Sequence, residues 1–357
     1  MRCFEPSITE KDVQAVSDLL RSGNIGFGPN IPLFEDKFSK YSKMEYNIGM
    51  NSASSAAYCL FAYLYDKYGS CDVYTPSLGF TSVAWAAKKN GHNVYFVDVD
   101  DNLLFDFDSY KSIRKLHLER QLNVDFNKSI VMPVLYGGVS NIPGLIDKIR
   151  GTGWDDIIVV DSAHCIEPTI ESDYIFFSFH PVKPLTMSCG GLLSMNDKHA
   201  DDYIRKYRNF GRENTGDTYD IVDNGFNFYM NNLNATLGLS QLNTCFDDIK
   251  TRKNKLEYLQ KNINSDKGYF TTHDEKSSYY LGTLVLYTNS SKELRVKLRE
   301  NESNASYHYP LLHKTKFWNK GETLVNTERL ENRIINLPIN EKLSKSDLDT
   351  IIEVVNG

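Results

Sequence analysis

The first two thirds of the chain alternate short apolar runs rich in β-branched residues with longer segments of helical periodicity. This alternation is typical of a mostly parallel sheet whose two faces are covered by helices. The candidate strands cover residues 46–50, 73–75, 94–97, 130–134, 157–160, 174–177 and 192–195. The sequence therefore predicts an α/β protein, and its 357 residues are enough for one large domain and a smaller one.

One helix of this sheet-covering layer can be placed together with its buried face. Apolar side chains recur at three- and four-residue steps at Ile31, Phe34, Phe38 and Tyr41. This spacing puts them on one side of a helix. Because Asn is a favoured N-cap residue, we expect Asn30 to cap the start of this helix.

A long helical stretch over about residues 231–262 is expected to bridge two domains. Its buried side is predicted to carry Leu233, Leu237, Ser240, Leu256 and Leu259. We therefore expect a large α/β domain over residues 1–245 and a small C-terminal α+β domain over residues 246–357.

The C-terminal segment has its own pattern. A strand is predicted over residues 279–287 and a helix over residues 291–299. A terminal helix is expected to open at Ser344, because Asp347 stands three residues further on in a capping-box position.

Composition excludes several classes of function. The formal net charge of −6 leaves no electrostatic footprint for nucleic acid or for an anionic membrane. The six cysteines show no C-x-x-C pair and no zinc-like spacing with histidine, which argues against a structural metal or a disulfide framework and for a reducing compartment. No apolar run approaches the roughly 20 residues that span a bilayer. We expect a cytoplasmic protein with no metal and no nucleic-acid or membrane partner.

Lys183 is the most informative candidate for catalysis. It ends the run SFHPVK at 178–183, directly after a predicted strand. A lysine amine can form a Schiff base with a carbonyl cofactor, and a strand end is a rigid support for it. Most lysines are solvated surface charges, so the interpretation depends on whether other segments supply the rest of a cofactor site.

A pyridoxal phosphate site also needs an acid for the ring nitrogen and a phosphate cup. Asp161 follows a predicted strand, at the edge where open α/β sheets place ligand-contacting groups. The run NSASSAA at 51–57 joins a strand to a helix beginning near Ser55, so its small residues leave backbone N–H groups open to an anion, with Ser178 as a further donor. The structural alternatives are that Asp161 caps a turn and that the serines form an ordinary N-cap.

A stacking platform completes the set. Phe80 follows the predicted strand at 73–75 and stands at the start of the next helix, where an aromatic face can lie against a cofactor ring. The alternative is a phenylalanine of the hydrophobic core. All of these segments lie at the carboxyl ends of predicted strands, which favours one common site.

With these residues assembled, the chain resembles the DegT/DnrJ/StrS family of pyridoxal-phosphate sugar aminotransferases nearly end to end. The matching motifs, in order, are GNIGFGP at 23–29, FE at 34–35, SASSA at 52–56, TP at 75–76 with Phe80, FVDV at 96–99, VDSAH at 160–164, SFHPVK at 178–183, GFNFYM at 225–230, GLSQL at 238–242 and HYPLLH at 308–313. The resemblance implies an aspartate-aminotransferase-like fold of type I, with a mostly parallel mixed sheet in the large domain and a smaller C-terminal α+β domain.

The resemblance also implies residue roles. Lys183 would be the Schiff-base lysine, Asp161 would pair with the pyridine nitrogen, His164 would lie near the phenolic oxygen and Phe80 would stack on the ring of pyridoxal 5'-phosphate. The residues implied at the phosphate are Ser52, Ala53, Ser54, Ser178 and, from the neighbouring subunit, Asn227. The last of these implies a homodimer with shared active sites. His308, His313 and Tyr229 are weaker candidates for substrate contact.

The chain departs from the family pattern at three positions. Ala53 replaces the usual Gly, Cys189 stands where Glu is usual and Tyr229 stands where Arg is usual. Ala53 is a modest change as long as its φ stays negative, whereas the other two bear on substrate or partner-subunit contacts. Relatives that act as dehydratases carry His in place of the lysine, so Lys183 favours transamination.

The implied activity is transfer of an amino group from L-glutamate to C4 of a nucleotide-linked keto-deoxysugar, in the biosynthesis of amino sugars for surface glycans. Two alternatives stay open at this point. One is a pyridoxal-phosphate-dependent dehydratase acting on similar sugars, and the other is a regulator that binds the cofactor without catalysis.

Overall fold

A seven-stranded sheet with helices on both faces makes up most of the molecule, which a computed structural model describes for residues 1–120, 128–215 and 218–357. In the described residues the strands are β1 (Tyr46–Met50), β2 (Asp72–Pro76), β3 (Asn93–Val97), β4 (Ser129–Val131), β5 (Asp156–Asp161), β6 (Tyr174–Ser178), β7 (Gly191–Met195), β8 (Arg212–Asn214), β9 (Tyr219–Ile221), β10 (Gly268–Phe270), β11 (Gly282–Leu286) and β12 (Ile334–Leu337). The α-helices are α1 (Glu10–Ser22), α2 (Asn30–Ser42), α3 (Ala53–Tyr68), α4 (Thr81–Lys89), α5 (Phe107–Arg120), α6 (Leu145–Arg150), α7 (Lys198–Tyr207), α8 (Asn232–Gln241), α9 (Cys245–Asn262), α10 (Ser291–Glu300), α11 (Val325–Leu330) and α12 (Lys345–Asn356). None of these helices is long and apolar enough to cross a membrane.

The topology of the large sheet brings distant segments to one edge. Its strand order is β1-β7-β6-β5-β4-β2-β3, and only β7 runs antiparallel to its neighbours. Gly191, the first residue of β7, is in register with Met50 and with Ser178, the last residues of β1 and β6. The carboxyl ends of the parallel strands and the amino end of β7 therefore meet at the same edge, where α/β sheets collect ligand sites. The predicted mostly parallel mixed sheet is confirmed.

A second, antiparallel sheet of strand order β10-β11-β12 packs with α9, α10 and α12 around its own apolar cluster, which includes Leu256, Leu298 and Ile351. The first residues of the chain pack here too, because the Asn340 side chain donates to the Arg2 carbonyl oxygen at 2.7 Å. The predicted boundary between residues 245 and 246 falls in the first turn of α9, and it stays a prediction.

The predicted strands of the large sheet agree with the observed ones to within a residue at each end, except for the strand predicted over 130–134. The regular ladder of β4 ends at Val131. Pro133 has no N–H to continue it, although its carbonyl oxygen still accepts a hydrogen bond from Asp161 N at 3.0 Å. The strand predicted over 279–287 begins later, at Gly282, because residues 278–281 bond to the turn at Gly137 and Gly138 instead.

The start of α2 differs from the prediction. Pro29 occupies the N-cap position and Asn30 is the first helical residue, so Asn30 is not the cap. Its side chain instead donates to Thr236 Oγ1 on α8 at 2.7 Å. The predicted apolar face is confirmed, with Phe34 and Phe38 fully buried.

The single helix predicted over 231–262 is two helices, α8 and α9, separated by residues 242–244. On α8 the buried face is also not the predicted one, because it packs small residues against α1 and α2. A Cβ added at Gly238 would approach Met187 Cε to 2.1 Å and Phe34 Cε2 to 3.0 Å. The residues wrongly placed on the buried face are Leu233, Leu237 and Ser240, all half-buried. On α9 the prediction holds, and the capping box of Ser344 and Asp347 at α12 is confirmed.

A buried ion-pair cluster fixes the end of β1 against α2 and α7. The carboxylate of Glu35 accepts hydrogen bonds from Gly49 N at 2.7 Å, Arg208 Nη1 at 2.8 Å and Arg205 Nη1 at 2.9 Å. Burial raises the pKa of Glu35, but the charges of Arg208 and Arg205 outweigh it and the net pKa is lowered. Glu35 thus holds β1 where its last residue meets β7.

We expect Glu35→Gln to lower the free energy of unfolding by about 3 kcal/mol, because it leaves the buried Arg208 guanidinium without its counter-charge. Glu171→Gln, which breaks the exposed pair with Arg150, is the control and should change little. Since the pKa of Glu35 is depressed in the folded state, its contribution is complete above the ordinary glutamate pKa and is lost as the pH falls through the depressed value. Denaturant titrations of both variants from pH 7 downwards measure this, and equal effects of the two would contradict it.

Candidate active site

A cavity of about 300 Å³ opens at the sheet edge where the strand ends meet. The predicted site residues that line it are Ser52, Ala53, Ser54, Phe80, Asp161, His164, Ser178, Lys183 and His308. They come from five separate stretches of the sequence. The fold brings these stretches together at the carboxyl ends of the parallel strands, as predicted from the sequence.

Lys183 lies in the turn after β6, where its backbone N–H donates to the His180 carbonyl oxygen at 2.8 Å. Its Nζ stands 4.3 Å from the ring centroid of Tyr280. Burial lowers the pKa of the amine to about 7, against the opposing charge of Asp161. A substantial share of Lys183 is therefore neutral, and nucleophilic, near neutral pH.

Asp161 is the last residue of β5 and only 5% exposed. Burial raises the pKa of its carboxyl to about 6, opposed by the hydrogen bond from Ala163 N at 2.9 Å and by the charge of Lys183. The predicted turn cap is thus present, and it occupies one carboxylate oxygen. A carboxylate in this environment is well placed to stabilise a positive charge brought into the cavity.

His164 is buried in the wall of the cavity. Its Nε2 lies 3.0 Å from the Tyr309 hydroxyl, whereas its Nδ1 has no hydrogen-bond partner in the described chain. Burial lowers the pKa of His164 well below its ordinary value, with further contributions from Lys183 and His308, so the ring is neutral. A buried ring nitrogen without a hydrogen-bond partner is a position where a ligand's polar atom fits.

The first turn of α3 forms an anion-binding cup. Ser52 is its N-cap and accepts a hydrogen bond from Ser55 N at 3.1 Å. The N–H groups of Ala53 and Ser54 lie in this first turn, where helix geometry leaves them without intrahelical acceptors. Gly191 lets β7 approach the cup closely, since a Cβ there would come within 2.3 Å of Ala53 N. Both features suit a phosphate group.

The cavity also has aromatic walls. Phe80 precedes α4 and is 58% exposed, so it is not the core residue of the structural alternative. Its ring centroid lies 5.8 Å from that of Tyr309. Sequence reasoning did not single out Tyr309 or Tyr280 as site residues, although Tyr309 stands within the recognised HYPLLH motif. Tyr280 carried no signal, because only the bonds of residues 278–281 to Gly137 and Gly138 bring it to the cavity.

Three predicted residues lie outside the lining of this cavity. Asn227 is exposed, and its carbonyl oxygen accepts a hydrogen bond from the Asn51 side chain at 3.1 Å. Tyr229 is half-buried and packs edge-to-face on Phe27 with ring centroids 5.3 Å apart. His313 is 2% exposed and has both ring nitrogens bonded within the protein, so it has no free group to offer a substrate.

The site fits pyridoxal phosphate group by group. The cup at the start of α3 suits the phosphate, Asp161 suits the ring nitrogen, the unpaired Nδ1 of His164 suits a polar ring substituent, and Lys183 is the amine that reacts with the aldehyde. The exposed face of Phe80 suits the ring itself. Fold and site together define a pyridoxal-phosphate-dependent enzyme of the aspartate-aminotransferase type.

Comparison with known proteins agrees. The sequence profile of the DegT/DnrJ/EryC1/StrS aminotransferase family matches residues 6–356, and the chain belongs to this family. The resemblance seen in the sequence is therefore confirmed, and so are the type I fold, the pyridoxal phosphate cofactor and the aminotransferase class.

Individual relatives extend over the same length. The UDP-4-amino-4-deoxy-L-arabinose–oxoglutarate aminotransferase of Shewanella sediminis is 24% identical, with 98% of this chain and 96% of that protein covered. GDP-perosamine synthase of Escherichia coli O157:H7 is also 24% identical, with coverages of 99% and 97%. Among solved structures, PseC of Helicobacter pylori, an aminotransferase of pseudoaminic acid biosynthesis, superimposes with a TM-score of 0.87 at 20% identity, covering 99% of this chain and 97% of that one.

We expect Asp161→Asn to lower the pKa of Lys183 further below about 7, because it removes the negative charge that favours the ammonium form. The pH dependence of acetylation of Lys183 in cofactor-free protein, followed by mass spectrometry, measures this pKa without any assay of activity. Lys255, which donates to the carbonyl oxygens of Asn340 and Glu341, is the internal control and should titrate alike in both proteins. An unchanged or higher pKa of Lys183 in the variant would show that the two groups do not interact.

Proposed function

We propose that this aminotransferase moves the amino group of L-glutamate onto the C4 keto group of a nucleotide-linked keto-deoxysugar, as a homodimer with shared active sites. The product would be an amino sugar for surface glycans. The observation that carries the proposal is the Lys183 amine, whose pKa is lowered by burial, in the same cavity as the Asp161 carboxylate and a phosphate cup.

The names of relatives support the substrate class. The Shewanella relative is named for UDP-4-amino-4-deoxy-L-arabinose, and the Escherichia coli relative is named for GDP-perosamine. A transaminase of Campylobacter jejuni, 23% identical over 98% of this chain, is named for UDP-4-amino-4,6-dideoxy-N-acetyl-β-L-altrosamine. The Shewanella enzyme is named for oxoglutarate, the keto acid that glutamate becomes. These names favour nucleotide sugars, glutamate and C4 for the present chain.

Pyridoxal phosphate, when bound, supplies an electron sink that makes a proton on an adjoining carbon acidic. Lys183 would remove the proton from the α-carbon of glutamate and later deliver a proton to the sugar carbon that receives nitrogen. A base with a pKa near 7 suits both directions of this transfer at neutral pH. Asp161, ionised above about pH 6, would hold the proton on the ring nitrogen.

The walls would keep water from the reacting atoms. Tyr280 is buried against the cavity, Tyr309 is half-buried there, and Val134 lines it as well. His308 also lines the cavity, and burial together with Lys183 lowers its pKa to about 4, so it would be a neutral hydrogen-bonding group toward the sugar. The loop over residues 25–30, with Phe27 exposed, is a second sugar-side candidate.

The homodimer is supported by exposed apolar side chains on β9 and in the segments before β8 and after β9. These are Phe210, Tyr219, Ile221, Val222 and Phe226, each at least 40% exposed. Exposed large apolar side chains near one another in the sequence are consistent with an interface between subunits. Asn227 follows Phe226 and does not line the cavity of its own subunit. This is expected of a residue that would contact the phosphate bound by a second subunit.

Lys183→Ala is expected to lower amine transfer at least about 10³-fold, because it removes the base and the covalent attachment of the cofactor. The assay incubates the enzyme with ¹⁵N-labelled glutamate and a panel of UDP-, GDP- and dTDP-linked ketosugars and reads the mass and position of the label. Lys255→Ala, a lysine remote from the cavity, should retain wild-type turnover. Label at C3 would overturn the C4 assignment. Deoxygenation of the sugar without incorporation of label would overturn the reaction type.

Shared active sites predict complementation between two defective subunits. We expect Asn227→Asp to weaken phosphate binding, since a carboxylate repels the dianion. When this variant is mixed with Lys183→Ala and subunits exchange, each mixed dimer contains one intact site and one doubly altered site, so activity should rise to about a quarter of wild type. Mixtures that stay as inactive as the separate variants would place Asn227 in its own subunit's site, and an Asn227→Asp variant as active as wild type would place it in none.

A further inference from the structure

A buried hydrogen-bond chain runs beside the cavity through Ser77, His313 and Glu328. Ser77 follows β2 and is fully buried, and its Oγ lies 2.6 Å from His313 Nδ1. The backbone N–H of His313 donates to the same oxygen at 3.1 Å. On the other side of the ring, His313 Nε2 lies 3.2 Å from Glu328 Oε1.

One assignment of protons satisfies every member of this chain. The Glu328 carboxylate can only accept, so His313 Nε2 carries the hydrogen that points to it. With a neutral ring, Nδ1 is then an acceptor, and the Ser77 hydroxyl donates to it while accepting the His313 backbone N–H. The reverse assignment leaves the Ser77 hydroxyl hydrogen without an acceptor among the described residues, which a fully buried group does not tolerate cheaply.

The hydrogen-bond chain joins two walls of the cavity. Ser77 stands three residues before Phe80, and its carbonyl oxygen accepts the Leu312 N–H at 3.1 Å. His313 stands four residues after Tyr309, whose ring contacts that of Phe80. The turn that carries Phe80 and the segment that carries Tyr309 are therefore attached to the same serine.

The Glu328 end of the hydrogen-bond chain is anchored on the large sheet. Glu328 belongs to α11, and the first turn of this helix is capped by Asp98, which follows β3. The Asp98 carboxylate accepts from Asn326 N at 2.9 Å and from Thr327 N at 2.6 Å. The segment with Tyr309 is thus held between the ends of two neighbouring strands, β2 and β3. The polar groups that hold it are hydrogen-bonded to one another within the protein.

We infer that Ser77, His313 and Glu328 are positioning residues, which hold Phe80 and Tyr309 as the walls that retain the cofactor in its cavity. The inference rests on the cofactor site of the proposed function and does not depend on the identity of the sugar. It also explains why His313, a candidate for substrate contact in the sequence, is turned away from the cavity.

The rate of cofactor loss tests this inference. Holoenzyme is transferred to cofactor-free buffer and the decay of the visible band of the bound cofactor is followed, with the thermal unfolding midpoint measured in parallel. Ser77→Ala removes the donor to His313 Nδ1, and His313→Leu removes both the acceptor for Ser77 and the donor to Glu328. Both are expected to lose the cofactor at least about tenfold faster than wild type, since each leaves a buried polar group unpaired.

Ser194→Ala is the matched control. Ser194 is also fully buried and donates to Asn47 Oδ1 at 2.6 Å, but it lies on β7 outside the cavity lining. It should lower the unfolding midpoint by a similar amount and leave the rate of cofactor loss unchanged. If all three variants lose the cofactor equally fast, the chain is merely structural and the inference is wrong.

A pair of changes at half-exposed Glu328 decides the matter even if the buried variants do not fold. Glu328→Gln keeps an oxygen that accepts from His313 Nε2, and it should retain the cofactor as wild type does. Glu328→Leu keeps the size but not the acceptor, and it should release the cofactor faster. Equal rates for the two would overturn the role of the chain. Because no step of this assay uses glutamate or a sugar, its result is separable from the outcome for the proposed substrates.

Discussion

The functional site depends on the placement of one amine and one carboxylate together in one cavity at the sheet edge. Burial acts on the two groups in opposite directions, raising the pKa of Asp161 to about 6 and lowering that of Lys183 to about 7. Each is partly stabilised by the other's charge, but the loss of hydration is the larger effect in both. An exposed ion pair would behave in the opposite way and keep the amine charged at neutral pH. The amine is therefore reactive because the fold withdraws it from solvent, and the sheet edge provides that withdrawal.

Much of this arrangement could be predicted because its determinants are local. Strands of a mostly parallel sheet read as short apolar runs, and the carboxyl ends of such strands meet at one edge. Asp161, Ser178 and the serines after β1 therefore had to lie near one another once the strands were placed. Phe80 was ambiguous from sequence, since a core phenylalanine has the same local pattern. Its exposure in the folded chain is a tertiary property that no single segment encodes.

What the sequence did not predict rests on contacts between distant segments. Tyr280 reaches the cavity only because the turn at Gly137 and Gly138 takes the hydrogen bonds of the segment before β11. A Cβ at Gly138 would lie 2.9 Å from both the His164 carbonyl oxygen and Tyr280 N, so this close approach needs glycine. The buried face of α8 was misjudged for the same kind of reason, since close packing against α2 selects small residues over leucine. Local periodicity contains no information on which neighbour a helix will meet.

The three departures from the family pattern lie at different distances from the centre of the site. Ala53 is the first residue of α3 and is not among the residues with positive φ, so the cup needs no glycine there. Cys189 lies at the margin of the cavity, where its thiol donates to the Asn51 carbonyl oxygen at 2.9 Å. Tyr229 packs on Phe27, in the loop proposed to meet the sugar. None of these side chains holds Lys183 or Asp161, which the strands β5 and β6 position. Changes at the margin can therefore alter which sugar is accepted while the proton-transfer pair stays in place, as expected for relatives that share one fold at about 24% identity and are named for different sugars.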